Sequence, residues 1–143
     1  MLYNLLRGFF YPFLFIFLLF NPKKLKFVTQ RLFQDISVLK KNETYIWIHC
    51  SSVGEINLID ALVKKLKNTF NQNILITVFT DTGYETAINK YFKDEKISIL
   101  KFPLDDIFIL KRIFNYINVS KIILISSNFF NPWMHIFILE SII

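Results

Sequence analysis

Residues 46–55 read IWIHCSSVGE, and they restrict the fold more tightly than any other stretch of the chain. An apolar alternating run ends in small polar residues and a glycine, and helical spacing begins at about Glu55. The pattern predicts a strand, a tight turn and a helix N-terminus. In α/β proteins this is the place where backbone amides meet an anion and side chains stand over the sheet edge. The same residues carry an architectural reading. Ser52-Val53-Gly54-Glu55 fits the S-x-x-E capping box, in which Glu55 reaches back to the Ser52 amide. Spacing alone favours the cap.

The strand-then-helix pattern recurs along the chain. Residues 45–49, 74–79, 97–102 and 121–125 are short apolar runs, and helical patterns at 56–69, 84–92 and 105–117 separate them. In the first of these helices Ile56, Ile59, Leu62, Val63 and Leu66 share one face, leaving Lys64, Lys65 and Lys67 to solvent. Asp105 and Asp106 suit the first turn of the third. Continuous apolar strands alternating with helices predict βαβ units: an α/β fold with a Rossmann-like parallel sheet and right-handed crossovers. Small polar turns at 50–54, 80–83 and 126–128 then gather at the carboxyl edge of that sheet, where open α/β sheets bind ligands.

Residues 1–20 are nearly all apolar, interrupted by Asn4, Arg7, Gly8 and Pro12. Twenty helical residues reach about 30 Å, the thickness of a bilayer core. Lys23, Lys24, Lys26 and Arg31 follow directly, which by the positive-inside tendency puts the remainder on the cytoplasmic side, beside anionic headgroups. A cleaved signal peptide fits less well, because the charge follows the apolar core and no small-x-small cleavage site is present. The expected organisation is a single membrane-anchor helix at 1–22, a basic helical connector at 23–44 with its helix over 25–41, and an α/β domain at 45–143.

Composition narrows the chemistry. The net charge of +6 fits a membrane surface or a phosphorylated substrate, although heavy use of Lys, Asn, Ile and Phe also matches an AT-rich coding sequence. Nucleic-acid binding finds no support beyond that charge. Cys50 is the one cysteine, which excludes a disulfide framework and a cysteine metal site. No G-x-G-x-x-G or P-loop occurs, so neither a dinucleotide nor a nucleoside-triphosphate site is indicated. His49 and His135 lack metal-type company, and no metal is expected. Adjacent strand residues point to opposite faces, so His49 and Cys50 make no nucleophile pair. They read as a packed histidine and a buried thiol.

Three motifs in order carry a family resemblance: WIHCSSVGE at 47–55, TVFTDTG at 77–83 and FPLD at 102–105. With the apolar N-terminus and the basic segment after it, they resemble the N-terminal domain of the 3-deoxy-D-manno-octulosonic acid (Kdo) transferases. Those are membrane-anchored, inverting glycosyltransferases of the GT-B type that act on lipid A precursors in lipopolysaccharide synthesis. The resemblance implies the N-terminal, acceptor-side half of a GT-B fold on the cytoplasmic face of a bacterial inner membrane. It implies CMP-Kdo as donor, a phosphorylated lipid A precursor as acceptor, and no cofactor. Glu55 matches the family's general base, which must lie within hydrogen-bond reach of the attacking hydroxyl. Ser52, Gly54, Thr80, Thr82 and Gly83 become the substrate-binding residues, with Gly54 letting the acceptor approach the backbone.

The chain departs from the family in two respects. Members carry an E-T-E-x-W-P-N-like run after the fourth strand, whereas residues 127–133 read SNFFNPW, with Ser127 and Phe129 at the acidic positions. The donor half of a GT-B enzyme is a C-terminal domain, so the 45–143 domain is expected to be incomplete at its C-terminus. The expected activity is therefore that of a transferase part that needs the missing donor-binding domain. The alternatives are a non-catalytic, membrane-anchored acceptor-binding module and a degenerate remnant.

Overall fold

The computed structural model describes residue 16, residues 20–103 and residues 107–125. The expected anchor at 1–22 and the turn at 126–128, with Ser127 and Phe129 after the fourth strand, lie almost wholly outside the described residues. Among the described residues no helix is long and apolar enough to cross a membrane. The chain divides into two compact units, Met1–Gln34 and Asp35–Ile143.

In the first unit, helix α1 spans Pro22–Leu32. Asn21 caps it, its Oδ1 accepting from the Lys24 amide at 3.2 Å, and Pro22 stands in the first turn, where a missing N–H costs nothing. Lys23, Lys24 and Lys26 are exposed. The Arg31 guanidinium lies 3.4 Å from the centroid of the Phe27 ring and donates from Nη1 to the Phe27 carbonyl at 2.9 Å. The helix is shorter than the expected 25–41 and starts earlier. Asn21 and Pro22 move its start, and it ends at a C-cap, Phe33, whose amide donates to the Thr29 carbonyl.

The second unit opens on a turn in which the Asp35 carboxylate accepts from the Ser37 amide at 2.8 Å and from the Ser37 hydroxyl at 2.6 Å. Buried Ile36 and Leu39 follow, and Asn42 takes a positive φ of 62°. The elements are then β1 (Thr44–Cys50), α2 (Val53–Leu58), α3 (Asp60–Thr69), β2 (Asn73–Val78), α4 (Asp81–Tyr91), β3 (Ile97–Lys101), α5 (Ile107–Tyr116) and β4 (Asn118–Leu124). The first expected helix is divided at Ile59 (φ −76°, ψ −4°) into α2 and α3. Helix α4 starts at Asp81 rather than residue 84, because Thr80 is its cap.

The four strands are all parallel, in the order β3-β2-β1-β4, as the Rossmann-like reading requires. The pleat divides their side chains between two layers. On one face Ile46, Ile48, Cys50, Ile74, Ile76, Val78 and Ile99 pack with Ile56, Ile59, Val63 and Leu66 of α2 and α3 and with Ala87 and Tyr91 of α4. Fully burying each aliphatic side chain in this layer contributes about 2 kcal/mol. On the other face the Trp47 ring meets Phe114 of α5, with centroids 5.6 Å apart. β4 joins β1 with one irregularity, where Tyr45 pairs with Val119 but Ile46 with Lys121. Ser120, the residue skipped, donates its hydroxyl to the Tyr45 carbonyl at 3.2 Å.

Candidate functional site

The strand order places the site. From β1 the chain moves outward to β2 and β3, then returns to lay β4 against the opposite side of β1. The order therefore reverses at β1, and ligands of open α/β sheets enter the crevice at the carboxyl ends of the strands on either side of such a reversal. The turn that leaves β1 there contains Ser51, Ser52 and Glu55.

Ser52 is the N-cap of α2, in extended conformation, and stands in the capping-box relation to Glu55. The carboxylate half of that box is made. Glu55 Oε2 accepts from the Ser51 amide in a short hydrogen bond and from the Ser52 amide at 3.3 Å. Both bonds fall on one oxygen. Oε1 makes no hydrogen bond among the described residues, and the side chain is half-buried. The cap therefore occupies one carboxylate oxygen and leaves the other without a hydrogen bond among the described residues.

Next to this turn runs the one that leaves β2. The Phe79 amide donates to the Cys50 carbonyl at 3.0 Å and the Thr80 amide to the Ser51 carbonyl at 3.1 Å, so the two turns are laced together. Thr80 Oγ1 caps α4 by accepting from the Gly83 amide at 3.2 Å. Gly83 is buried, and a Cβ there would stand 2.8 Å from both Thr80 Oγ1 and Val78 Cγ1 and 3.3 Å from the Ser52 carbonyl carbon. Packing therefore demands glycine at 83. At exposed Gly54 an added Cβ would meet nothing nearer than Ser52 Oγ at 3.9 Å, so packing does not demand glycine there. Thr82 is exposed, with its carbonyl engaged by the Thr86 hydroxyl at 2.8 Å. The structure thus brings Ser52, Gly54, Glu55, Thr80 and Gly83 into two adjoining turns, with Thr82 on the outer side of the second.

Ser51 was not singled out from sequence. Its Oγ is buried and has no hydrogen-bond partner among the described residues, which leaves an unsatisfied polar group beside the Glu55 amide contacts. Thr77 was also missed. It sits in β2 with no exposure, and the signal for it was a hydroxyl interrupting the otherwise apolar run 74–78. Its Oγ1 accepts from Trp47 Nε1 at 2.8 Å and lies 3.1 Å from His49 Nδ1. The His49 ring also stacks at a tilt on Phe102, 4.3 Å between centroids. Burial pushes the His49 imidazole down to about 4, with the Thr77 backbone and the Glu55 charge acting in the opposite direction. Burial likewise pushes the Cys50 thiol up to about 12, so it is no thiolate nucleophile near neutrality. Among the described residues no three His, Cys, Asp or Glu side chains are grouped so as to hold a metal ion. A cavity of about 430 Å³ lined by Lys67, Lys90, Tyr91, Lys93, Asp94 and Glu95 is bridged by the Lys67–Asp94 ion pair. Those residues close α3 and α4 and precede β3, so the cavity belongs to the amino edge of the sheet, away from Glu55.

An open parallel sheet with a glutamate at its order reversal defines an α/β domain of the kind that binds ligands at a strand edge. The chain belongs to the 3-deoxy-D-manno-octulosonic-acid transferase (kdotransferase) family, whose N-terminal-domain model matches residues 23–137. It is also 47% identical over 127 residues to a bifunctional glycosyltransferase/methyltransferase of Fusobacterium nucleatum subsp. nucleatum. That match takes in 88% of this chain and 19% of the relative, so the chain spans about a fifth of the relative's length. No solved structure matches the chain.

Proposed function

We propose that this chain forms the acceptor side of an inverting Kdo transferase. The acceptor is a phosphorylated lipid A precursor and the donor is CMP-Kdo, bound through a C-terminal domain. The observation that carries the reading is the divided carboxylate of Glu55. One oxygen is fixed by two backbone amides, and the other makes no hydrogen bond among the described residues at the edge where such sheets bind ligands. In the reaction an acceptor hydroxyl oxygen forms a bond to the ketosidic carbon of the donor. The bond from that carbon to the CMP phosphate oxygen breaks, and its electron pair leaves with CMP. The hydroxyl proton passes to Glu55 Oε1, in the general-base role the family resemblance implies. Open Gly54 leaves room for the acceptor beside the backbone, while Ser52, Thr80 and Thr82 supply hydroxyls along the same edge. The apolar residues 1–20 and the basic face of α1 support placement on the cytoplasmic face of the inner membrane, where a lipid acceptor is found.

The test supplies the chain with a complementing donor-binding domain, CMP-Kdo and a lipid A precursor. Transfer by the pair, lost in Glu55→Gln, is the expected result; transfer retained by Glu55→Gln removes Glu55 as the base. One observation favours a second reading, a non-catalytic acceptor-binding module: the Glu55 carboxylate already caps α2. Acceptor binding without transfer in the complemented assay supports that module.

A further inference from the structure

Three buried polar groups lie on the face of the sheet opposite α2 and play no part in the chemistry above. Trp47 and His49 are on β1 and Thr77 is on β2, where it pairs with His49 in register. Their exposures are 3%, 5% and 0%. The hydrogen bonding between them has a direction. An indole N–H can only donate, so Thr77 Oγ1 accepts from Trp47 at 2.8 Å. The hydroxyl hydrogen then needs an acceptor of its own, since Thr77 is sealed from solvent and an orphaned buried donor costs about 1–3 kcal/mol. Among the described residues Oγ1 has no partner besides Trp47 Nε1 and His49 Nδ1. The hydroxyl hydrogen therefore belongs to Nδ1, and a ring whose Nδ1 accepts carries its proton on Nε2.

We propose that Trp47, Thr77 and His49 are positioning residues, a one-way relay that locks His49 as the neutral Nε2–H tautomer and pins the ends of β1 and β2 where the Glu55 and Thr80 turns begin. The site is close at hand. The His49 carbonyl accepts from the Ile125 amide at 3.0 Å, which ties the end of β4 to the same point. The next two carbonyls, of Cys50 and Ser51, accept from Phe79 and Thr80. A histidine that changed tautomer or took up a proton would turn a donor toward Thr77 and leave the buried Thr77 hydroxyl hydrogen without its acceptor. Fixing the tautomer keeps the two strands in one arrangement. Its role in transfer rests on the function proposed above; the tautomer itself does not.

The experiment is nitrogen NMR of the full chain labelled with ¹⁵N-histidine, with His135→Gln used to remove the second histidine signal. His49 is expected to show a single Nε2-protonated pattern from about pH 5 to about pH 8, a range in which a free imidazole changes state. Thr77→Val removes the hydroxyl while keeping the shape, and should replace that pattern by a mixture of tautomers; Thr77→Ser should restore it. In the complemented transferase assay Thr77→Val should lower kcat with KM unchanged, again rescued by Thr77→Ser. An Nδ1-protonated or mixed His49 in the unsubstituted chain overturns the relay, whether or not the variants fold. A relay confirmed by NMR in a chain that transfers no sugar leaves the relay standing and removes the function.

Discussion

The turns that leave β1 and β2 are built to one plan and differ in what they leave unused. Each follows a buried parallel strand, starts a helix with a hydroxyl residue at the cap, and contains one glycine. In the β2 turn the cap and the glycine are consumed by the fold: Thr80 Oγ1 accepts from the Gly83 amide, and the space beside Gly83 is filled by Thr80 and Val78. In the β1 turn the space beside Gly54 is open, the Ser51 hydroxyl is buried without a partner among the described residues, and one Glu55 oxygen is uncommitted. Residues that exceed what folding needs are the ones with chemistry to spare. By that criterion the β1 turn, reactive in the function proposed above, keeps groups that the β2 turn has spent.

The largest expected effect strikes what the two turns share. His49 and Thr77 lie beneath both, and the His49 imidazole is held at about 4 by burial. The unfolded chain takes up this proton below its ordinary value of about 6.5, while the native chain resists until about 4. This contribution to stability is therefore complete above about pH 6.5 and is lost as the pH falls toward 4, by about 3 kcal/mol. Urea denaturation at a series of pH values should show the loss, and His49→Gln should flatten it. An unchanged slope in His49→Gln would place the acid sensitivity elsewhere.

The next effects separate the turns. Gly83→Ala forces a methyl against Val78 and Thr80 and should destabilise the domain by about 2 kcal/mol. Thr80→Ala removes a helix cap and should cost about 1 kcal/mol. Gly54→Ala should change stability by less than about 0.5 kcal/mol, because nothing stands near the new methyl. In the complemented assay it should nonetheless raise KM for the lipid acceptor. Thermal melts of the three variants rank them. A Gly54→Ala chain as unstable as Gly83→Ala would erase the distinction between the turns.

Much of this architecture was legible in the chain. Apolar strands alternating with helical patterns marked out β1 to β4, and the motif around Glu55 pointed to the turn that the strand order places at the reversal. Three things were not legible, for physical reasons. Helix periodicity carried the basic segment to residue 41, but Asn21 and Pro22 set its start and the Phe33 cap its end, through local hydrogen bonds that periodicity does not register. The roles of Gly54 and Gly83 look alike in sequence, because only the neighbouring backbone decides whether the missing Cβ is needed. The Trp47–Thr77–His49 relay joins residues 28 and 30 positions apart, and only the parallel register of β1 and β2 brings them together.

The central claim is that Glu55 serves the fold with one oxygen and the reaction with the other. Glu55→Gln tests it most directly, because the glutamine carbonyl can still accept from the Ser51 and Ser52 amides while the proton acceptor is gone. Sugar transfer from CMP-Kdo, measured in the complemented assay, should fall by at least about 100-fold, the lower end of what a positioned general base contributes. The melting temperature should stay at that of the unsubstituted chain. Transfer within a few-fold of the unsubstituted chain would contradict the claim and leave Glu55 a helix cap.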